Sequence, residues 1–96
     1  MTSKQRAYLK GLASTMDVIV HIGKAGVTPE VVQSVDEGLN ARELIKIGIL
    51  KNCFDDPRQI AEMVSERTRS TVVQVIGKKI VLYRPDKDKP KIKLPL

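Results

Sequence analysis

Ninety-six residues can enclose one modest hydrophobic core and leave no room for a second, so the chain reads as a single domain. With 42% hydrophobic and 29% charged residues it has the balance of a folded globular protein, which excludes a disordered chain. The formal net charge of +6 is segregated: the first ten residues carry +3, residues 11–77 hold seven basic against nine acidic side chains, and residues 78–96 hold seven basic against two acidic.

The first periodic segment runs from about Thr2 to Ser14, with Thr2 or Ser3 as the N-cap and Tyr8, Leu9 and Leu12 on one helical face. Arg6 and Lys10, four residues apart, project together from a neighbouring face. Asp17 to Ile22 is short, β-branched and bounded by Gly23, the pattern of a strand. His21 lies there on the opposite parity to Val18, Val20 and Ile22 and reads as a sheet-face residue. Thr28 then suits an N-cap and Pro29 the first helical position. Val31, Val32, Val35 and Leu39 supply a stripe that ends near Asn40.

Glu43 to Leu50 places Ile45, Ile47 and Ile49 on alternate positions and reads as a second strand. Asp55-Asp56-Pro57 repeats the cap-then-proline signal, and Ile60, Met63 and Val64 mark a third helix ending around Arg67. Thr71 to Ile76 and Lys79 to Tyr83 are strand-like runs separated by Gly77-Lys78, which predicts a hairpin. From Pro85 onward Pro, Lys and Asp dominate. Residues 1–85 therefore read as the domain and 86–96 as a basic tail, in which Ile92 and Leu94 alternate with Lys91 and Lys93 as an edge strand would require. The element order predicts an α/β fold, a two-layer sandwich with helices on a mixed four-stranded sheet.

Gly23-Lys24-Ala25-Gly26 is the segment that points to function, because it joins a strand to a helix start at Thr28-Pro29-Glu30. Backbone N–H groups and the positive end of a helix dipole beside one lysine make a place for a phosphate. The same glycines also suit a tight turn that needs a positive φ and nothing more. The segregated charge favours a polyanion as partner, since evenly mixed charge would suffice for solubility. Lys78, Lys79 and Arg84, with Arg6 and Lys10, are candidates to extend such a surface. Lys87, Lys89, Lys91 and Lys93 would add a diffuse field whose contribution falls with salt.

Three patterns coincide along the chain: Gly23 to Gly26 between strand and helix, Glu43-Leu44-Ile45-Lys46-Ile47 as the second strand, and Val75-Ile76-Gly77-Lys78 leading to Leu82-Tyr83-Arg84-Pro85. With the opening helix Lys4 to Ala13, they resemble the CRM domain (chloroplast RNA splicing and ribosome maturation), in its short bacterial stand-alone form, the YhbY-like RNA-binding proteins. The resemblance implies an α-β-α-β-α-β-β topology similar to the C-terminal domain of translation initiation factor three. It also implies an RNA-contacting loop at Gly23, Lys24, Ala25 and Gly26. Bacterial members of that family associate with precursors of the large ribosomal subunit, and plant relatives act in organellar intron splicing. The loop differs from that of KH domains, whose GxxG joins two helices.

Chemistry finds little support in the residue inventory. Cys53 is the single cysteine and His21 the single histidine, so neither a disulfide nor a multi-cysteine zinc site can form within the chain. Asp55 and Asp56 are adjacent before a proline, the arrangement of a helix cap. Gly77-Lys78 lacks the upstream glycine and the following Ser or Thr of a nucleotide-binding loop. No cofactor, membrane or small-molecule substrate is expected, and the reducing environment suggested by one cysteine, with no apolar run of signal-peptide length, points to the cytoplasm. Aromatics are only 3%, so recognition is expected to be of RNA backbone and shape rather than by a stacking platform. Two rivals share the electrostatics: a protein-interaction adaptor using the Val31-Val35-Leu39 helix, and a DNA-binding module.

Overall fold

The computed structural model describes residues 1–96. Helix α1 (Ser3–Ala13) starts where the Thr2 hydroxyl accepts from the Gln5 amide and the Gln5 side chain accepts from the Thr2 amide, a reciprocal cap. Leu9 and Ala13 are its buried residues, one turn apart, while Tyr8 and Leu12 stay partly exposed. The inward face is therefore rotated from the Tyr8-Leu9-Leu12 face expected from spacing. Strand β1 (Val18–Ile22) leads to helix α2 (Pro29–Arg42), capped by Thr28, and strand β2 (Leu44–Ile49) leads to helix α3 (Pro57–Thr68), capped by Asp56. Strands β3 (Thr71–Ile76) and β4 (Lys79–Tyr83) form the hairpin, with Gly77 at φ 55.

The sheet order is β1-β2-β4-β3, with β1 parallel to β2 and the other pairs antiparallel. On one face α2 and α3 enclose the main core, built on Val35 and Leu39 from α2, Ile60 and Val64 from α3, and Ile45, Ile47, Ile80 and Leu82 from the central strands. Gly38 lets α2 lie close to β1, because a Cβ there would come within 2.9 Å of the Ile19 side chain. The other face carries a second cluster in which Leu9 and Ala13 of α1 cover Leu44, Val73, Val81 and Tyr83. The helices are thus divided between the two faces, α2 and α3 forming one layer and α1 lying across the reverse side.

Bulges in the edge strands decide which side chains reach which face. Val18 pairs with Lys46 and Val20 with Ile47, so Ile19 is an extra residue and packs toward the α2/α3 core with Val20. Val18 and His21 consequently share the reverse face, both lying over Gly48. In β3 the extra residue is Val73, which puts Val73 and Gln74 together on the α1 side.

Two expectations are corrected. Glu43 is not the first residue of the second strand: it ends α2 with φ 64, and its carboxylate is 1% exposed. That carboxylate accepts from the backbone amides of Asp86 (2.6 Å), Lys91 (2.8 Å) and Ile92 (2.9 Å). The edge strand drawn from the Ile92/Leu94 alternation does not form, because the amides it would offer to a neighbouring strand are taken by Glu43. The tail instead folds back so that Ile92 and Leu94 pack against the α1 cluster, with Gln5 donating to the Pro95 carbonyl.

Candidate nucleic-acid interface

Parallel pairing sends the carboxyl ends of β1 and β2 to the same edge of the molecule, and both loops that follow them collect there. In the first, the Gly26 amide donates to the Gly23 carbonyl at 3.0 Å, closing a turn with Lys24 and Ala25 exposed at its tip. Gly26 has φ 71 and lies against the second loop, where a Cβ would meet the Asp55 carboxylate at 3.0 Å. The Thr28 hydroxyl oxygen accepts from the Val31 amide at 3.1 Å, so its first task is to start α2.

The second loop, residues 50–56, is bound to the first through the Leu50 amide, which donates to the Ile22 carbonyl at 2.8 Å. Cys53 is buried in the main core and anchors this loop, and the next residue, Phe54, is 93% exposed. The hairpin turn joins the same edge, since the Ile49 amide donates to the Lys78 carbonyl at 2.8 Å. Lys24, Lys51, Lys78 and Lys79 are thereby gathered at one end, exposed and without an ion pair inside 4 Å. Lys51 and Phe54 were not among the residues expected from sequence. The signal that could have found them is the repeat of strand, lysine-bearing loop, cap and proline at Ile22 to Pro29 and again at Ile49 to Pro57.

Arg84 and Arg6 are not brought to this end. Arg84 sits where β4 leaves the sheet at the opposite end and donates to the Asp36 carboxylate (2.7 Å), the Thr68 carbonyl (2.6 Å), the Asn40 side chain (2.9 Å) and the Asp36 carbonyl (3.1 Å). It ties α2 to the end of α3. Arg6 donates to the carbonyls of Val72 (2.7 Å) and Val73 (2.9 Å), which the β3 bulge takes out of the ladder. Both guanidinium groups hold the fold together. Lys10 lies apart from the loops, at the last turn of α1 on the reverse face.

A cleft of about 680 Å³ lies at the Arg84 end and includes Asn40, Arg67, Arg69 and Lys87. Its cations face the carboxylates of Asp36 and Asp86. Burial pushes the Glu43 carboxyl up, but the amides of Asp86, Ile92 and Lys91 outweigh it and hold the group below the ordinary carboxylate value. Amides of Asp88 and Lys89 likewise lower Asp86. At this end Arg84 has its ion pair with Asp36, whereas the lysines at the loop end, like Arg67, Arg69 and Lys87 in this cleft, have none within 4 Å.

The comparisons agree with this architecture. The family model for the CRS1 / YhbY (CRM) domain matches residues 1–84. The chain is 40% identical over 95 residues to the probable RNA-binding protein YqeI of Bacillus subtilis (strain 168), covering 99% of each. It is 35% identical to an RNA-binding protein of Haemophilus influenzae, covering 99% of this chain and 95% of the other. The solution structure of the hypothetical protein SAV1595 from Staphylococcus aureus superposes with a TM-score of 0.83 at 47% identity, over 99% of both chains. With the same three helices and mixed four-stranded sheet and a family match that spans the domain, the chain belongs to the CRS1 / YhbY (CRM) domain family.

Proposed function

We propose that the protein is an RNA-binding module that docks on structured ribosomal RNA through the loop Gly23–Gly26 and the lysines beside it, and that it acts in assembly of the large ribosomal subunit. The observation that carries this reading is the convergence of three loops on one end, with Lys24, Lys51, Lys78 and Lys79 free of internal partners. Gly23 keeps the surface low enough for a sugar-phosphate backbone to approach, Gly26, buried against Asp55, supplies the positive φ that closes the turn, and Ala25 adds no bulk at the tip. Lys24 pairs with a phosphate, and the hydroxyl proton of Thr28 can serve a second phosphate oxygen. The action is to hold an RNA conformation, which needs no nucleophile and no cofactor. The names of relatives in Bacillus subtilis and Haemophilus influenzae support RNA as the partner.

Crosslinking in living cells with sequencing of the bound RNA tests the reading, comparing the natural chain with a folded variant changed at Gly23, Lys24 and Gly26. Discrete large-subunit RNA sites that vanish in the variant are expected. Crosslinks confined to intron or other structured RNA would keep the module and change its client. No specific crosslinks at all would put a protein-interaction adaptor in its place.

A further inference from the structure

The reverse face of the sheet is covered only in part. α1 lies over Leu44, Val73 and Tyr83, toward the end where Arg84 sits. Beyond these residues two rows of side chains cross the sheet toward the loops: α1 covers the first at Val81, and no helix lies above the second. Strand register puts Val18, Lys46, Val81 and Gln74 in the first row and His21, Gly48, Lys79 and Ile76 in the second. Ile76 is 58% exposed, and His21 and Lys79 are exposed as well. A groove of about 260 Å³ runs along this area against the last turn of α1 and is lined by Lys10, Lys46 and Lys79 with no carboxylate.

Lys46 is the informative residue. It occupies the middle of β2, a central strand whose other five residues are all buried, and it is only partly exposed. Its ammonium group makes no ion pair within 4 Å and no hydrogen bond within the molecule. Lys79 is its diagonal neighbour across the β2/β4 pair, so two like charges share one patch of sheet. An uncovered sheet face needs polar residues to stay in water, but it would be served equally by neutral or mixed side chains. Cations alone, on three different elements, leave a repulsion that a polyanion relieves. Lys10 has an additional reason to be where it is, since it faces the negative end of α1, and it carries less of the argument for that reason.

We propose that this groove is a phosphodiester channel, in which the RNA backbone held at Gly23–Gly26 continues over Lys79 and Lys46 toward Lys10. The channel rests on the RNA-binding reading above and extends it to a second surface. Gln74, whose side-chain amide has no partner inside the molecule, lies in the same row as Lys46 with Val81 between them, in position to bond a ribose hydroxyl or a base edge.

Binding of a fluorescein-labelled RNA hairpin with a single-stranded 3′ extension, measured across a salt series starting low, tests the channel. Lys46→Gln and Lys79→Gln are each expected to weaken binding about fivefold and to lower the slope of log affinity against log salt by about 0.7, the signature of one lost phosphate contact. Lys46→Arg should restore both. Lys24→Glu serves as the loop control, and thermal unfolding verifies each fold; should Lys46→Gln fail to fold, exposed Lys79→Gln decides alone. Full affinity and an unchanged slope in the folded Gln variants, with Lys24→Glu impaired, overturn the channel and leave the loop reading standing. A natural protein that ignores the hairpin even at low salt overturns both.

Discussion

The two ends of this small sheet use the same residue types for opposite purposes. At the Arg84 end three charged groups are built into the fold: Arg84 makes four hydrogen bonds, Glu43 accepts three, and Lys91 donates to the Ala41 carbonyl. At the loop end Lys24, Lys51, Lys78 and Lys79 have none. A count of basic residues treats both ends alike. Only the partner list separates charge that builds the fold from charge left in solvent, and the distinction matters because satisfied cations contribute to stability while solvated ones contribute little.

Substitution should therefore split cleanly between the ends. The largest effect is expected at Glu43. Glu43→Ala leaves three tail amides without their acceptor and should lower unfolding free energy by roughly 3 kcal/mol in a urea titration. The pH dependence follows from the same group. Its native carboxyl titrates below the ordinary value of 4.5, so its contribution is complete above that value and is lost as pH falls through the lowered native one. Glu43→Ala should flatten that acid limb; an unaltered limb would assign it to other carboxylates. Next comes Arg84→Met, at about 2 kcal/mol by the same titration, with RNA affinity per folded molecule unchanged. A large loss of affinity with stability intact would return Arg84 to the interface.

At the other end the signs reverse. Lys24→Glu should weaken RNA binding about tenfold while moving stability by less than about 0.5 kcal/mol, checked by fluorescence anisotropy alongside thermal unfolding. Phe54→Ala is expected to have the smallest effect: a stability change under about 0.5 kcal/mol, and an RNA affinity within about twofold of the natural protein if backbone and shape are what is read. A loss near tenfold, confined to RNA with unpaired bases, would instead make Phe54 a stacking residue.

What sequence could reveal here was whatever is encoded locally. The hairpin at Gly77-Lys78 and the helix starts at Thr28-Pro29 and Asp56-Pro57 each rest on adjacent residues, and each was found where expected. The Gly23–Gly26 loop was legible for the same reason. Glu43 was not, because its three donors lie 43 to 49 residues further along, and nothing near it distinguishes a strand's first residue from a buried acceptor. Arg6 and Arg84 looked like surface cations since their acceptors are carbonyls and side chains from distant elements. The inward face of α1 and the rows around Lys46 depend on two bulges, which move a strand's facing by one residue and have no clear sequence mark.

The clasp between Glu43 and the last eleven residues also bears on how the molecule can be cut. The family pattern ends at residue 84, which would seem a natural boundary for an isolated domain. Ending the chain there would remove the amides that satisfy a carboxylate held 1% exposed, and would strip Ile92 and Leu94 from the cluster beneath α1. The shortened protein would present a sticky apolar patch next to an orphaned acid. The tail lies beyond the family match but inside the stretch this chain shares with its relatives, and its contacts tie it to the rest of the fold.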